Sequence, residues 1–436
     1  MHDPAELCAE LIRFDTSNYG EGKSNGEREA ALWIAARLSA AGLDPVVLGP
    51  EETRQSVVVR VPGADRSLPA LLVHAHLDVV PAEPEQWSVP PFEGLVRDGW
   101  IYGRGAADMK DMAAMTLATL LNWAESGQQP LRDIVVAFVA DEEDKGAYGA
   151  DWLATEHPEL FAGVEAAIGE SGGTATLLPG ADGRTLRLYP VGAGERGTMH
   201  IRVRAEGVSG HGSRPVPVNA VQNLVSALHR LGNHQWPQVL VPVVRAYIEQ
   251  TTAALGFTAD LSSEAGVEAA IDAMGEAGRV ARVTVRCSAT PTVLRAGYKT
   301  NVIPGLAEAD VDIRCLPGTE KETLATVKEL LGPDVSLRFL TRESPLQSPV
   351  DSPWFEAMRQ ALVRHDPEAV VVPMCMGGGT DAKAFSRLGI QCYGFAPLTA
   401  DPDGRIPEGV HGVDERVPVA SVRGGQKVLQ DFLANV

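Results

Sequence analysis

An α/β fold is what this 436-residue sequence predicts: a mostly parallel sheet carrying an inserted ferredoxin-like α+β domain. Three observations predict it. Nearly continuous apolar strands alternate with helical patterns early in the chain, as expected of a sheet covered on both faces. Near Gly192-Ala193-Gly194 the texture switches to period-two alternation, the mark of a half-exposed strand. The α/β texture then resumes after about residue 343. Residues 1–191 and 343–436 are therefore expected to form one domain, and residues 192–342 a lid inserted into it.

The elements follow in order. Residues 4–14 and 26–42 have helical spacing, the second closed by Gly42. "SVVVRVPG" and "PALLVHAHLDVV" are strands, and residues 109–126 form a helix ending near Gly127. "DIVVAFVADEE" and "EAAIGES" are strands of the buried kind. In the insert, "GTMHIRVRAEGVS" alternates, residues 216–232 form an amphipathic helix, and residues 233–283 are mostly helical. "TNVIPGLAEADVDIRCLPG", a helix over 319–332 and the strand "VSLRFL" complete the ferredoxin-like order. "AVVVPMCMGGGTDAKAF" and "QCYGFAPL" return to the first texture.

Composition narrows the function classes. The chain is 44% hydrophobic and 22% charged, with a net charge of −19. Such acidity repels phosphate backbones and speaks against nucleic acid as a partner. No apolar run reaches the roughly 18 residues of a membrane span. "MHDPAELCAE" lacks the basic-then-apolar order of a signal peptide, so a cytoplasmic location is expected. Cys8, Cys287, Cys315, Cys375 and Cys392 are scattered and odd in number, which reads as reduced, buried thiol.

Five segments place acids or histidine at strand ends or in the loops that follow, where ligands of open α/β sheets gather. In "HAHLD", His76 and Asp78 share a strand face, so the Asp can accept the imidazole's second N–H. In "YGRGAADMKD", Asp108 stands at the mouth of a helix. "FVADEED" closes an apolar strand with consecutive acids, whose like charges raise one another's pKa unless a cation sits among them. One Glu of that pair can bind metal while its neighbour stays free as a base. Glu170 in "AAIGESGG" and His411 in "PEGVHGVDE" complete the set. Two histidines and three carboxylates suit two borderline divalent ions: zinc foremost, cobalt or manganese as alternatives.

The ordered set "HAHLDVVP", "GRGAADMK", "ADEE", "GES", "GVSGHGSRP", "TNVIPG", "DIRCLPG" and "GVHG" resembles a family of dinuclear zinc hydrolases. That family includes glutamate carboxypeptidase, succinyl-diaminopimelate desuccinylase, acetylornithine deacetylase, carnosinase-like dipeptidases and aminoacylase-1. The resemblance implies that His76 and Glu170 hold one metal, Glu143 and His411 the other, and Asp108 bridges both. It implies Asp78 as the group orienting His76, Glu142 as general base, and His211 as an oxyanion donor from the lid, in its own or a partner's site. Asn301, Arg314 and the loop of Gly378, Gly379 and Thr380 would hold a substrate carboxylate. The expected activity is hydrolysis of a small N-acyl amino acid or dipeptide with a free carboxylate, with dimerisation through the lid. Within the family, Glu rather than Asp at position 170 leans toward the deacylases. The apolar stretch "WPQVLVPVVRAYIEQ" fits an acyl contact, core or a dimer contact equally.

Two other readings come from the same letters. Gly169-Glu170-Ser171-Gly172-Gly173 fits the G-x-S-x-G elbow of a serine hydrolase, with Asp381 and His411 in triad order. An elbow needs a helix directly after the serine, and "TATLLPGADG" breaks one. A non-catalytic binding protein on the same fold is the third reading. An unligated Glu beside a ligand set has no use in it.

Overall fold

The computed structural model describes residues 1–180 and 183–436, so Ala181 and Asp182 of the "TATLLPGADG" stretch lie outside the described residues. Two helices come first, α1 (Pro4–Ile12) and α2 (Arg28–Ala40). The Asp3 carboxylate accepts from the Ala5 N–H at 3.0 Å, and Pro4 sits where a missing N–H costs nothing. The first strands of the large sheet are β1 (Val46–Leu48), β2 (Ser56–Val61) and β3 (Ala70–His76). Helix α3 (Lys110–Ser126) ends at Gly127, which adopts φ 69°. It is buried along most of its length and packs against α1.

Strands β4 (Ile134–Val139), β5 (Val164–Gly169), β6 (Thr176–Pro179) and β7 (Thr185–Glu195) extend the same sheet. β3 lies parallel between β4 and β5, and all three are apolar and almost wholly buried. Their carboxyl ends therefore point to one edge, which bears His76, the Asp141–Glu143 run and Glu170.

β7 runs in this sheet as far as Glu195, so the sheet continues past the texture change at Gly192. The lid's four-stranded antiparallel sheet is a separate body. It comprises β8 (Gly197–Glu206), β10 (Ser288–Ala296), β12 (Leu306–Cys315) and β13 (Ser336–Glu343), covered by α4 (Ala220–Gly232) and α8 (Glu320–Leu331). Its spatial order is β10-β12-β8-β13, so the chain order is β-α-β-β-α-β. β10 was not read from the sequence. It contains Pro291, beside a bulge, and lies at the sheet edge, where a missing N–H is tolerated. A short pair joins β9 (Gly210–His211) to β11 (Val302–Ile303).

The helical insert forms α5 (Pro242–Ala254), α6 (Glu264–Ala273) and α7 (Gly278–Thr284). After the lid come α9 (Pro353–His365), β14 (Ala369–Met376), α10 (Ala382–Ser386), β15 (Gln391–Gly394) and α11 (Val419–Asn435). β14 runs parallel to β7, and β15 runs parallel to β5. Helices α5 and α7 lie on β14, against the large sheet, although their sequence falls inside residues 192–342. Val243, Val244, Tyr247 and Ile248 are buried there, so the "WPQVLVPVVRAYIEQ" stretch supplies core. The five cysteines are unpaired and buried. Among the described residues no helix is long and apolar enough to cross a membrane.

Candidate active site

His76 ends β3 with its ring buried. Its Nδ1 donates to the backbone carbonyl of Asp78 at 2.9 Å, which leaves Nε2 as the outward atom. That Nε2 lies 3.2 Å from Asp108 Oδ1 and 3.9 Å from Glu170 Oε2. The other oxygen of Asp108, Oδ2, lies 3.0 Å from His411 Nε2, which is 3.3 Å from Glu143 Oε1. Two three-residue groups result, His76–Asp108–Glu170 and Asp108–Glu143–His411, each with its ligand atoms within 4.8 Å of one another. Asp108 belongs to both and turns one oxygen to each, as a bridging carboxylate does.

The donors fit divalent metal ions. Imidazole nitrogen and carboxylate oxygen are the ligand types zinc accepts. Glu143 Oε1 is buried and, apart from the His411 ring at 3.3 Å, has no donor beside it, the state of an atom shaped to receive a cation. Without a cation, protons on the histidines offset part of the negative charge. Burial pushes the His76 ring down, but the hydrogen bond it donates to Asp108 and the Glu170 charge outweigh it and leave the ring well above its ordinary value. Hydrogen bonds to Asp108 and Glu143 raise His411 to about 10.

Asp78 was expected to orient His76 through its carboxylate. The carboxylate oxygen stands 3.7 Å from Nδ1, and its hydrogen bonds run elsewhere. Oδ1 accepts from the backbone N–H of Glu142 at 3.0 Å, and Oδ2 from that of Glu143 at 3.1 Å. Asp78 thus holds the acidic pair in place, while its backbone orients the histidine. Behind it, the Asn18 side-chain amide donates to both Asp78 and Asp141, and Arg54 bridges Asp141 to the buried Glu27. Glu415 links the two loops that present Asp108 and His411. It accepts from the N–H groups of Gly105 and Ala107 and from Arg104 at 2.6 Å. None of Asn18, Arg54 or Glu415 was read from the sequence. Glu415, four residues after His411 in "GVHGVDE", was the most accessible of them.

Glu142 ligates neither group and lies beside them. Burial, then the Glu170 charge, pushes its carboxyl well above the usual range. It lines a cavity of about 310 Å³ together with Thr198, His200, Arg314, Gly378, Gly379, Thr380, Asp381 and Lys383. Four of the expected carboxylate-binding residues are therefore here. Two of them are already engaged. Arg314 donates to Asp312 through Nε at 2.8 Å and to Thr198 Oγ1 at 2.9 Å. The Thr380 N–H and hydroxyl both donate to buried Glu195, at 3.1 and 2.7 Å. Lys383 was missed, one helical turn past Thr380, and its ammonium reaches Glu343 in the lid at 3.1 Å. Gly379 makes room for it, since a Cβ there would stand 2.1 Å from Lys383 Nζ. His200 was missed too. It shares a strand face with Thr198, opposite Asp312 in register.

His211 and Asn301 are brought to each other but not to this cluster. Both are exposed on the β9–β11 pair, where the Gly212 N–H donates to the Asn301 carbonyl, and His211 Nδ1 lies 2.9 Å from Ser213 Oγ. Neither lines the cavity that holds Glu142.

Ser171 has φ 70° and is followed by the extended strand β6, with no helix to form a nucleophile elbow. His411 Nε2 faces Asp108 and Glu143, so the supposed triad is not assembled.

A profile of peptidase family M20/M25/M40 matches residues 72–435. The chain is 29% identical over 384 residues to the human N-fatty-acyl-amino acid synthase/hydrolase PM20D1, covering 86% of this chain and 76% of that protein. It is likewise 29% identical over 417 residues to Aminoacylase-1 of Sus scrofa, covering 94% and 89%. Among solved structures, the M20 family metallo-carboxypeptidase Sso-CP2 from Sulfolobus solfataricus superposes with a TM-score of 0.72 at 17% identity, over 100% of this chain and 99% of that one. Human carnosine dipeptidase 1 gives 0.65 at 15% identity, over 99% and 95%. Both share the fold.

Proposed function

Because the chain belongs to peptidase family M20/M25/M40, a family of metallohydrolases, we propose that it is a two-metal amidohydrolase cleaving N-acyl amino acids. The observation that carries the reading is Asp108 standing between two three-residue ligand groups, with the unligated Glu142 beside them. His76 and Glu170 would hold one divalent ion, Glu143 and His411 the other, with Asp108 on both; zinc is the expected metal. When bound, such a pair acidifies water and polarises a carbonyl.

The chain's own residues do the rest. Glu142 takes the proton of the attacking water and returns it to the leaving amine nitrogen. Asp78 fixes Glu142 and Glu143 through their backbone N–H groups, so base and ligand move as one unit. Lys383 and His200 offer the charge and hydrogen bonds for a substrate carboxylate next to Glu142.

The deacylase reading is favoured over the dipeptidase one by Glu at position 170, and relatives named for acyl amino acid hydrolysis support it. The lid would complete the site across a homodimer. In support, Leu294 of the edge strand β10 and nearby Tyr298 are 62% and 85% exposed, and His211 lies outside its own chain's cavity. The five unpaired thiols support the expected cytoplasmic location.

The test is zinc-reconstituted protein against N-acyl amino acids and dipeptides, read as released amine. Glu142→Gln should keep its metal and lose turnover. Loss of neither would remove Glu142 from its role, and activity surviving a chelator but lost in Ser171→Ala would replace the reading altogether. Mixing Glu142→Gln with His211→Ala should restore up to a quarter of the activity through hybrid dimers; no restoration would place His211 in its own subunit's site or in none.

A further inference from the structure

A second cavity, of about 610 Å³, takes Asp108 and Glu170 as part of its wall. It is far larger than an acetyl group fills and lies within the range of about 300–1,000 Å³ that holds whole drug-sized ligands. Its apolar wall comes from Met109 after the bridging Asp, Leu177 of β6, Leu398 after β15, and Ile406 and Val410 in the loop before His411. Ile406 and Val410 are each 49% exposed, which is unusual for large aliphatic side chains flanking a charged cluster. A Cβ on Gly172 would stand 2.2 Å from the Gly394 carbonyl oxygen, so the chain there runs flat against β15.

The two cavities differ in charge. The smaller one sets Lys145, Arg314, Lys383, Arg387 and His200 among the carboxylates of Glu142, Asp144, Asp151, Glu343 and Asp381, so its charges nearly balance. Among the described residues lining the larger one there is no Lys, Arg or His, while Asp111 and Glu276 add two carboxylates. An anionic group finds cations to pair with in the first and only carboxylates in the second. A molecule with a carboxylate at one end and a hydrocarbon at the other is held in one orientation, its amide beside the Asp108–Glu170 wall and near Glu142.

We propose that the larger cavity is the acyl site and that it takes the unbranched hydrocarbon chain of a medium- or long-chain N-acyl amino acid, running from Glu170 toward Ile406 and Val410. The proposal rests on the amidohydrolase reading and specifies its substrate. Each buried methylene adds up to about fourfold in kcat/KM until the cavity is full. Dicarboxylic acyl groups such as succinyl are rejected, because their distal carboxylate meets Asp111 and Glu276 with no cation to pair it.

The experiment compares the N-acetyl, N-octanoyl, N-dodecanoyl and N-succinyl derivatives of one amino acid, and a dipeptide ending in it, on zinc-loaded enzyme. Octanoyl should exceed acetyl by at least about 100-fold in kcat/KM, a conservative share of the per-methylene factor, and succinyl should fall below acetyl. Ile406→Asp and Leu177→Asp, at positions where a charge reaches solvent, should each lower the octanoyl-to-acetyl ratio at least about tenfold, one buried methylene or two being lost with added polarity. An acetyl substrate as good as octanoyl, a dipeptide better than both, or a ratio unchanged in both variants would overturn the acyl assignment while leaving the amidohydrolase reading intact. If no N-acyl substrate is cleaved, that reading fails. Calorimetry with 1-dodecanol on metal-stripped protein then decides the cavity alone: saturable binding weakened by Ile406→Asp supports a hydrocarbon site, and no binding ends it.

Discussion

Where the parallel strands end, Asp108, Glu142, Glu143, Glu170 and Asp381 crowd together with two histidines as their close cationic partners. Across the lid sheet, by contrast, the acids of β12 face arginines. Asp310 pairs with Arg202 at 2.6 Å and Arg295 at 3.0 Å, binding β12 to both neighbouring strands. The same residue types move in opposite directions. Burial and mutual repulsion push Glu142 and Glu170 well above the usual carboxyl range. The Arg202 hydrogen bond holds Asp310 down to about 2, and Asp312, despite burial, is held at about 2 by His200 and Arg314. The lid's charges are matched within the chain. Those of the cluster are left for something from outside, and real proteins break local rules of this kind at functional sites.

The largest effect should come from Glu142, an acid of the cluster that belongs to neither candidate ligand group. Glu142→Gln keeps shape and loses the proposed proton carrier, so turnover should fall by about 10²–10⁴-fold with zinc content unchanged by elemental analysis. Co-loss of zinc would make Glu142 a ligand and erase its difference from Glu143.

A second substitution should change sign with the metal. Glu170→Gln removes a buried repelling charge, so metal-stripped protein should become more stable, by on the order of 1–2 kcal/mol. Zinc-loaded protein should become less stable, because a ligand is lost. Thermal melts with and without chelator read both signs. Destabilisation in both states would mean that Glu170 is matched without metal, like the lid acids.

How much of this was legible in the sequence follows the same division. The candidate ligands His76, Asp108, Glu143, Glu170 and His411 were readable because each stands next to a recognisable strand end or glycine-rich turn. The residues that hold them were not. Asn18 reaches Asp78 across 60 positions, and Arg104 reaches Glu415 across 311. Such pairings carry no local period, and only the folded chain brings them together. The lid's boundary was misplaced because β7 ends in "PVGAGE", whose glycines resemble a linker although the strand stays in the large sheet. The helical insert was assigned to the lid by sequence order, and packing puts it on β14.

Glu195, at the last residue of β7, stands between the two regimes. It accepts two hydrogen bonds from Thr380 and has Lys383 nearby, yet burial still raises it to about 7. Its folded value exceeds its unfolded one of about 4.3. Its contribution to stability is therefore fully present below about pH 4.3 and is lost as pH rises through about 7. Denaturant titrations of metal-stripped protein should show stability falling over that window. Glu195→Gln should flatten the fall by on the order of 1–2 kcal/mol. An unchanged slope would mean that Lys383 neutralises Glu195 fully, moving it to the lid's side of the comparison.

The smallest effect is expected where charges are already matched. Asp310 is joined to Arg202 by two hydrogen bonds, at 2.6 and 2.8 Å, and to Arg295 by a third. Its depressed value means that its contribution is present above about pH 3.9 and lost as pH falls through about 2. Water screens these pairs at the sheet surface, so Asp310→Asn should cost only about 1 kcal/mol at neutral pH, and less in high salt. The loss should be equal with and without zinc, because nothing in the lid sheet waits for the metal. A loss that differed between the two states would show that the lid sheet senses the occupied site, and the division between self-matched and cation-seeking acids would no longer follow the boundary between the two sheets.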